Sequence, residues 1–170
     1  MFSAVRRVAL PRFAVGSVAL AAGVTALVVG SGASAQSSTT LTFKELNKGS
    51  TFAFVDNAPV SKAKGEPSAS LGDVIAFTNP LAAAGKRIGR LYLHCTVVVA
   101  AAQAYKAAYP CEGVLALGGG TLSVQAFLAH AGATVRGTVT GGTGGYSNAR
   151  GTLLSRPTKT GADDVITLVG

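Results

Sequence analysis

The stretch Leu41-Thr42-Phe43-Lys44-Glu45-Leu46-Asn47, followed by Lys48-Gly49-Ser50, alternates as a β-strand that ends in a turn. Leu41, Phe43, Glu45 and Asn47 share one face, and Thr42, Lys44 and Leu46 share the other. If the Leu41/Phe43 face is turned to an interior, a carboxyl group and a carboxamide point into apolar surroundings. A carboxyl group so enclosed must find hydrogen-bond donors or keep its proton, and functional carboxylates commonly do both. The competing reading is a strand that frays after Phe43 and leaves Glu45 in water.

Outward from this strand the chain keeps alternating. Residues 51–55 extend or re-pair it. Residues 73–79 put Asp73, Ile75, Phe77 and Asn79 on one side, and Pro80 reads as the strand's end. Residues 90–101 set Leu91, Leu93, Cys95, Val97 and Val99 against Tyr92, His94 and Thr96. Pro110 breaks the next segment, which leaves 111–117 as strand. Four more strands are expected at 121–130, 133–140, 149–155 and 164–169. Residues 56–71, with Pro59, Gly65 and Pro67, form the longest loop, either disordered or a lid. About eight strands joined mostly by short links, with no helix after residue 35, define an all-β chain, an antiparallel barrel or sandwich. An eight-stranded barrel has an interior that side chains fill or that holds one small ligand. No tryptophan and 22 glycines leave little bulk to plug it.

Residues 1–35 read as a signal peptide. Arg6, Arg7 and Arg12 are its basic region, 13–30 is uncharged and apolar, and Ala33-Ser34-Ala35 is a small-x-small cleavage site. The competing reading is a membrane anchor, since the apolar run approaches the ~20 residues of a span. Cleavage near Ala35 gives a short leader, 36–40, one domain, 41–170, and an exported protein, secreted or of the cell envelope, without a membrane span. The net charge of +8 falls by three with those arginines. The remaining cations are not interleaved with aromatics, which gives nucleic-acid binding no support, whereas a basic exported protein suits an anionic envelope. Cys95 and Cys111, an even pair in an oxidising compartment, are expected to form a disulfide across a hairpin whose tip lies near Gln103. His94 and His130 lack metal-ligand spacing, so neither a metal nor another cofactor is expected.

The glycine-rich segment Gly141-Gly142-Thr143-Gly144-Gly145-Tyr146-Ser147-Asn148-Ala149-Arg150-Gly151 lacks the Lys-Ser/Thr and helix of a phosphate loop and the strand-turn-helix of a dinucleotide site. By itself it reads as a tight turn. It also resembles the GGTG-x-[FY]-x-x-A-R-G signature of plant dirigent proteins. Leu71-Gly72-Asp73, Phe77-Thr78-Asn79, Lys86-Arg87-Ile88-Gly89, Cys95-Thr96-Val97-Val98 and Leu122-Ser123-Val124-Gln125 follow the order of motifs in plant allene oxide cyclases. Glu45, Asn47, Gly49 and Ser50 match the end of the cyclases' first strand.

That resemblance implies an eight-stranded antiparallel β-barrel, assembled as a homotrimer, with a small hydrophobic ligand in its lumen. Its activity would be that of an isomerase that closes a ring, or of a dirigent-like guide of coupling. By the same resemblance Glu45 stabilises developing positive charge, Asn47, Ser50 and Asn79 hold an ordered water, and Cys95 lines the cavity. The chain departs from the pattern where Thr51 replaces the proline of Gly-Ser-Pro, in a turn two residues shorter before it, and at Cys111, which has no counterpart. A non-catalytic binding barrel of the cell envelope is the alternative.

Overall fold

A computed structural model describes residues 37–57 and 68–169, so the signal-peptide segment and most of the long loop lie outside the described residues. Nine strands form one antiparallel sheet: β1 (Ser38–Leu46), β2 (Thr51–Val55), β3 (Val74–Ala83), β4 (Lys86–Thr96), β5 (Tyr109–Leu117), β6 (Gly120–Leu128), β7 (Val135–Gly142), β8 (Arg150–Thr158) and β9 (Gly161–Val169). From β3 to β9 each strand pairs with its sequence neighbour, β9 pairs with β1, and β1 returns to β3. Eight strands thus close into a barrel, and β2 is an extra strand laid along β3. Among the described residues no helix is long and apolar enough to cross a membrane.

The barrel forms because the alternation is consistent around the ring. Phe77, Leu93, Gly113 and Val124 lie opposite one another across β3–β6, and Cys111, Ala126 and Gly137 do so across β5–β7. Phe43, Leu81, Leu91, Leu115, Leu122, Val124, Val139 and Ile166 make the main core inside the ring.

Three strand ends differ from the expectation, and prolines account for them. Pro80 lies within β3, Pro110 within β5 and Pro157 within β8. Each sits where one flank has no ladder partner. Pro80 falls between the residues of β3 paired to β2 and those paired to β1, Pro110 lies beyond the last β4 partner, and Pro157 lies beyond the last β7 partner. A proline there sacrifices no hydrogen bond, so the strand runs on.

Residues 97–108 leave the sheet instead of continuing β4. They include a short 3-10 turn, Ala104–Lys106, and pack a second core of Ala69, Cys95, Val97, Ala107, Tyr109 and Cys111. The Tyr109 hydroxyl donates to the Ala104 carbonyl at 2.5 Å. Burial, and then the charge of Asp73, hold its phenol above the usual range. Asp73, fully buried, accepts hydrogen bonds from the backbone N–H of Asn57 and of Ser70, which fastens both ends of the long loop to the start of β3.

Cys95 and Cys111 face each other in the β4–β5 register and are joined, with Cα atoms 4.1 Å apart. The bridge closes the whole excursion, 16 residues in separation. Replacing both cysteines with alanine should lower stability by about 3 kcal/mol, read as a shifted urea midpoint with an otherwise native barrel.

Candidate functional site

Glu45 stands at the seam where the barrel closes. It pairs with Leu81 of β3 on one side and with Ala162 of β9 on the other. Positions two along from a direct partner lie on the same sheet face, so Asn79 and Asp164 flank Glu45 diagonally, one from each neighbouring strand. The close approach requires a glycine: a Cβ on Gly161 would sit 1.8 Å from the Glu45 carbonyl oxygen, at a φ of +154°.

These neighbours meet. Asn79 Nδ2 donates to Glu45 Oε2 at 2.5 Å. Asp164, only 2% exposed, lies opposite Ser155 in the β8–β9 register. Burial, and then the negative charge of Glu45, push the Asp164 carboxyl up to about 8. The Ser155 hydroxyl pulls the other way, and a hydrogen bond with Glu45 adds to the rise. At neutral pH Asp164 therefore keeps its proton, as a buried acid beside another carboxyl group is expected to. Asp164 Oδ1 has no hydrogen-bond partner among the described residues.

The acids border a cavity of about 150 Å³. Phe77, Leu91, Leu93, Leu115, Val124 and Leu153 supply its apolar wall, with Cys111 and Pro157, and its polar lining is Glu45, Ser155 and Asp164. An apolar cavity of about this size takes a benzene-sized molecule. The arrangement can therefore hold one ring against a wall of aliphatic side chains and present a proton and a carboxylate to it.

The residues singled out from the sequence do not all gather here. Glu45 lines the cavity and Asn79 holds its carboxylate. Asn47 lies past the end of β1 in an exposed turn, where its carbonyl accepts from both the backbone N–H and the hydroxyl of Ser50. Both therefore serve the turn in this structure. Cys95 is buried in the second core as half of the disulfide, and the wall of the cavity has Cys111. His94 and His130 are exposed, and among the described residues no three metal-ligating side chains cluster. The glycine-rich segment is a turn. A Cβ at Gly142 would lie 2.3 Å from the Tyr146 carbonyl oxygen, and Asn148 has a φ of 63°.

Asp164 and Ser155 escaped the sequence analysis although the signal was present. Asp164 alternates with Ile166 and Leu168 as Glu45 does with Phe43 and Leu41, and Ser155 follows Leu153 in the same way.

No protein-family model matches the chain, and no curated protein matches it by sequence. Solved structures do. The structure of a pyocyanin demethylase superposes with a TM-score of 0.59 at 25% identity, over 76% of this chain and 98% of that one. AbnU, an exo-specific intermolecular Diels–Alderase, gives 0.54 at 14% identity over 79% and 99%. The pterocarpan synthase dirigent protein PsPTS1 gives 0.51 at 20% identity over 78% and 91%. The chain shares its fold with these three structures.

The pair of acids makes stability depend on pH in a defined direction. An unfolded chain gives up the Asp164 proton near the ordinary value of 3.8, and the folded chain gives it up near 8. Between these values the folded state holds the extra proton, so this contribution to stability is full at the acid end and is lost as the pH rises toward 8. Asp164→Asn removes the dependence. Its advantage over the native chain in urea unfolding should be larger at about pH 9 than at about pH 5, and a difference that does not change with pH would place Asp164 in solvent.

Proposed function

We propose that this chain is an exported barrel that takes a small apolar molecule into its lumen and steers its cyclisation or coupling. The observation that carries the reading is the Glu45–Asp164 pair. An apolar cavity wall gains nothing in stability from two enclosed acids, and a site that must balance developing charge gains from both. Glu45, oriented by Asn79, faces positive charge that develops on the ligand. Asp164 supplies a proton to an acceptor atom of the ligand and, once deprotonated, can take one back. The aliphatic wall holds the ligand in a reactive conformation, so the rate gain comes from positioning and electrostatics. An intramolecular ring closure guided in this way is an isomerase reaction of the allene oxide cyclase type, and every group invoked belongs to the chain itself. The shared fold of Diels–Alderases and a dirigent protein supports the reading.

Native mass spectrometry of protein purified from its own secretions should show a co-purified apolar ligand and name its chemical class. On that ligand, Glu45→Gln should lower the rate roughly a hundredfold, about 3 kcal/mol of transition-state stabilisation, with the melting temperature kept or raised. An unchanged rate would sink the catalytic reading.

One observation favours a second reading. Asn47 and Ser50 lie in the exposed turn, so the water-holding set that the cyclase resemblance implies is incomplete at the cavity. A lumen-binding carrier of the cell envelope needs no such water. It predicts ligand retention with no turnover.

We also propose a homotrimer. Tyr92 and Val114, direct partners on β4 and β5, are 50% and 38% exposed on a groove of about 620 Å³ along the barrel's flank. Exposed apolar side chains on such a face are suited to burial against another copy. Light scattering at micromolar concentration should give three times the chain mass, and Tyr92→Glu should lower it to one.

A further inference from the structure

We propose that the outer face over the barrel seam docks on an anionic lipid membrane. The register builds a row of outward positions across five strands: Arg87 of β4, Ala82 of β3, Lys44 of β1, Asp163 of β9 and Arg156 of β8. Alternation sends these side chains outward because their neighbours Glu45, Leu81, Asp164 and Ser155 face the lumen. The turn cations extend the row. The Asn47 N–H donates to the Thr160 carbonyl at 2.9 Å, which brings the Lys48 turn beside the Lys159 turn. Arg90 reaches the Gly49 carbonyl at 3.3 Å, which places a further guanidinium at the same turn.

Little opposes this charge. Asp163 bonds Lys44 at 2.8 Å, but the pair is open to solvent, with side chains 51% and 68% exposed, where such a bridge gives way readily to another anion. Among the described residues, Glu45 and Asp164 point into the barrel, Asp73 is fully buried and holds the backbone of Asn57 and Ser70, and Glu112 belongs to β5 on another flank. The cations are thus concentrated on one face and the nearby acids are withdrawn from it.

The partner is identified by what accompanies the charge. A single-stranded nucleic acid would need aromatic side chains set among the cations to stack its bases, and between the cations of the row stand only Ala82 and Asp163. A lipid surface needs a basic face with an apolar side chain at its margin. Leu46, two residues from Lys44 on the same outward face of β1 and two from Lys48, is partly exposed.

The test uses the chain from Gln36, because residues 13–30 would enter a bilayer on their own account. Residues 35–170 form one compact unit that contains every strand, both cores and the disulfide. Co-sedimentation is measured with vesicles of phosphatidylcholine alone and with vesicles that also contain phosphatidylglycerol. Binding is expected only to the anionic vesicles, and it should be lost as salt rises toward about 1 M. Arg87→Glu/Arg156→Glu should weaken it by at least about twenty-fivefold, from about fivefold for each cation removed and a further loss from each anion added. Lys106→Glu/Arg150→Glu, the same charge change away from the row, should weaken it far less, and Leu46→Ser should weaken binding without abolishing its salt dependence. Equal binding to both vesicle types, equal losses in the two double variants, or tighter binding to duplex DNA than to anionic vesicles at the same salt would each overturn the proposal. The readout involves no lumen ligand, so Glu45→Gln should sediment as the native chain does, and failure of docking is distinguishable from failure of the lumen chemistry.

Discussion

The barrel closes through a short contact. β1 is registered to β9 over its whole length, from Ser38 opposite Val169 to Leu46 opposite Gly161, but it meets β3 only at Lys44–Ala82 and Glu45–Leu81. Without those two pairs the sheet would be open, its two edges would be free to pair with other chains, and the face that holds Phe43 and Ile166 would lack its opposite wall. The closure also makes the site. It puts Glu45 between two strands distant in sequence, with Asn79 on one side and Asp164 on the other. The function proposed for the lumen and the fold itself therefore depend on the same few residues, and Gly161 is glycine because the backbones could not otherwise come together there.

Two adjacent pairs of charged residues show how finely the pleat sorts chemistry. Lys44 and Glu45 are neighbours in β1, and Asp163 and Asp164 are neighbours in β9. In each pair one side chain points out and the other in. Outside, Lys44 and Asp163 form an exposed ion pair within a basic row. Inside, Glu45 and a protonated Asp164 border an apolar cavity. A slip of β1 by one residue against β9 would aim Lys44 into the lumen and carry Glu45 out of the site. Register is strongly specified here because Leu41 and Phe43 would move to solvent with the same slip.

The second core does different work. The disulfide and Tyr109 tie the 97–108 excursion to the start of β5, while Asp73 holds the ends of the long loop by accepting backbone hydrogen bonds. An excursion of this length loses much conformational entropy on ordering, and a cross-link that limits the unfolded chain offsets part of that cost. Cys111 belongs to both regions, since it packs in the second core and also borders the cavity.

Alternation in the sequence determined that the chain is all-β, which face of each strand is apolar, and that Glu45 and Asn79 share the face of Phe43 and Phe77. It also determined the pairing of Cys95 with Cys111, because the sequence holds no other cysteine and a hairpin brings them opposite. Period-2 patterning is a local property, so it is legible residue by residue. Only the tertiary structure decided which strands are neighbours. The passage of β3, β5 and β8 through their prolines depends on whether a partner strand lies alongside. The exit of Asn47 and Ser50 from the site depends on β1 ending at Leu46. The meeting of Glu45 with Asp164 joins positions 119 residues apart through the β1–β9 register. Non-local pairing leaves no mark on the pattern of either strand taken alone, and for that reason the second acid of the site became visible only when the barrel was closed.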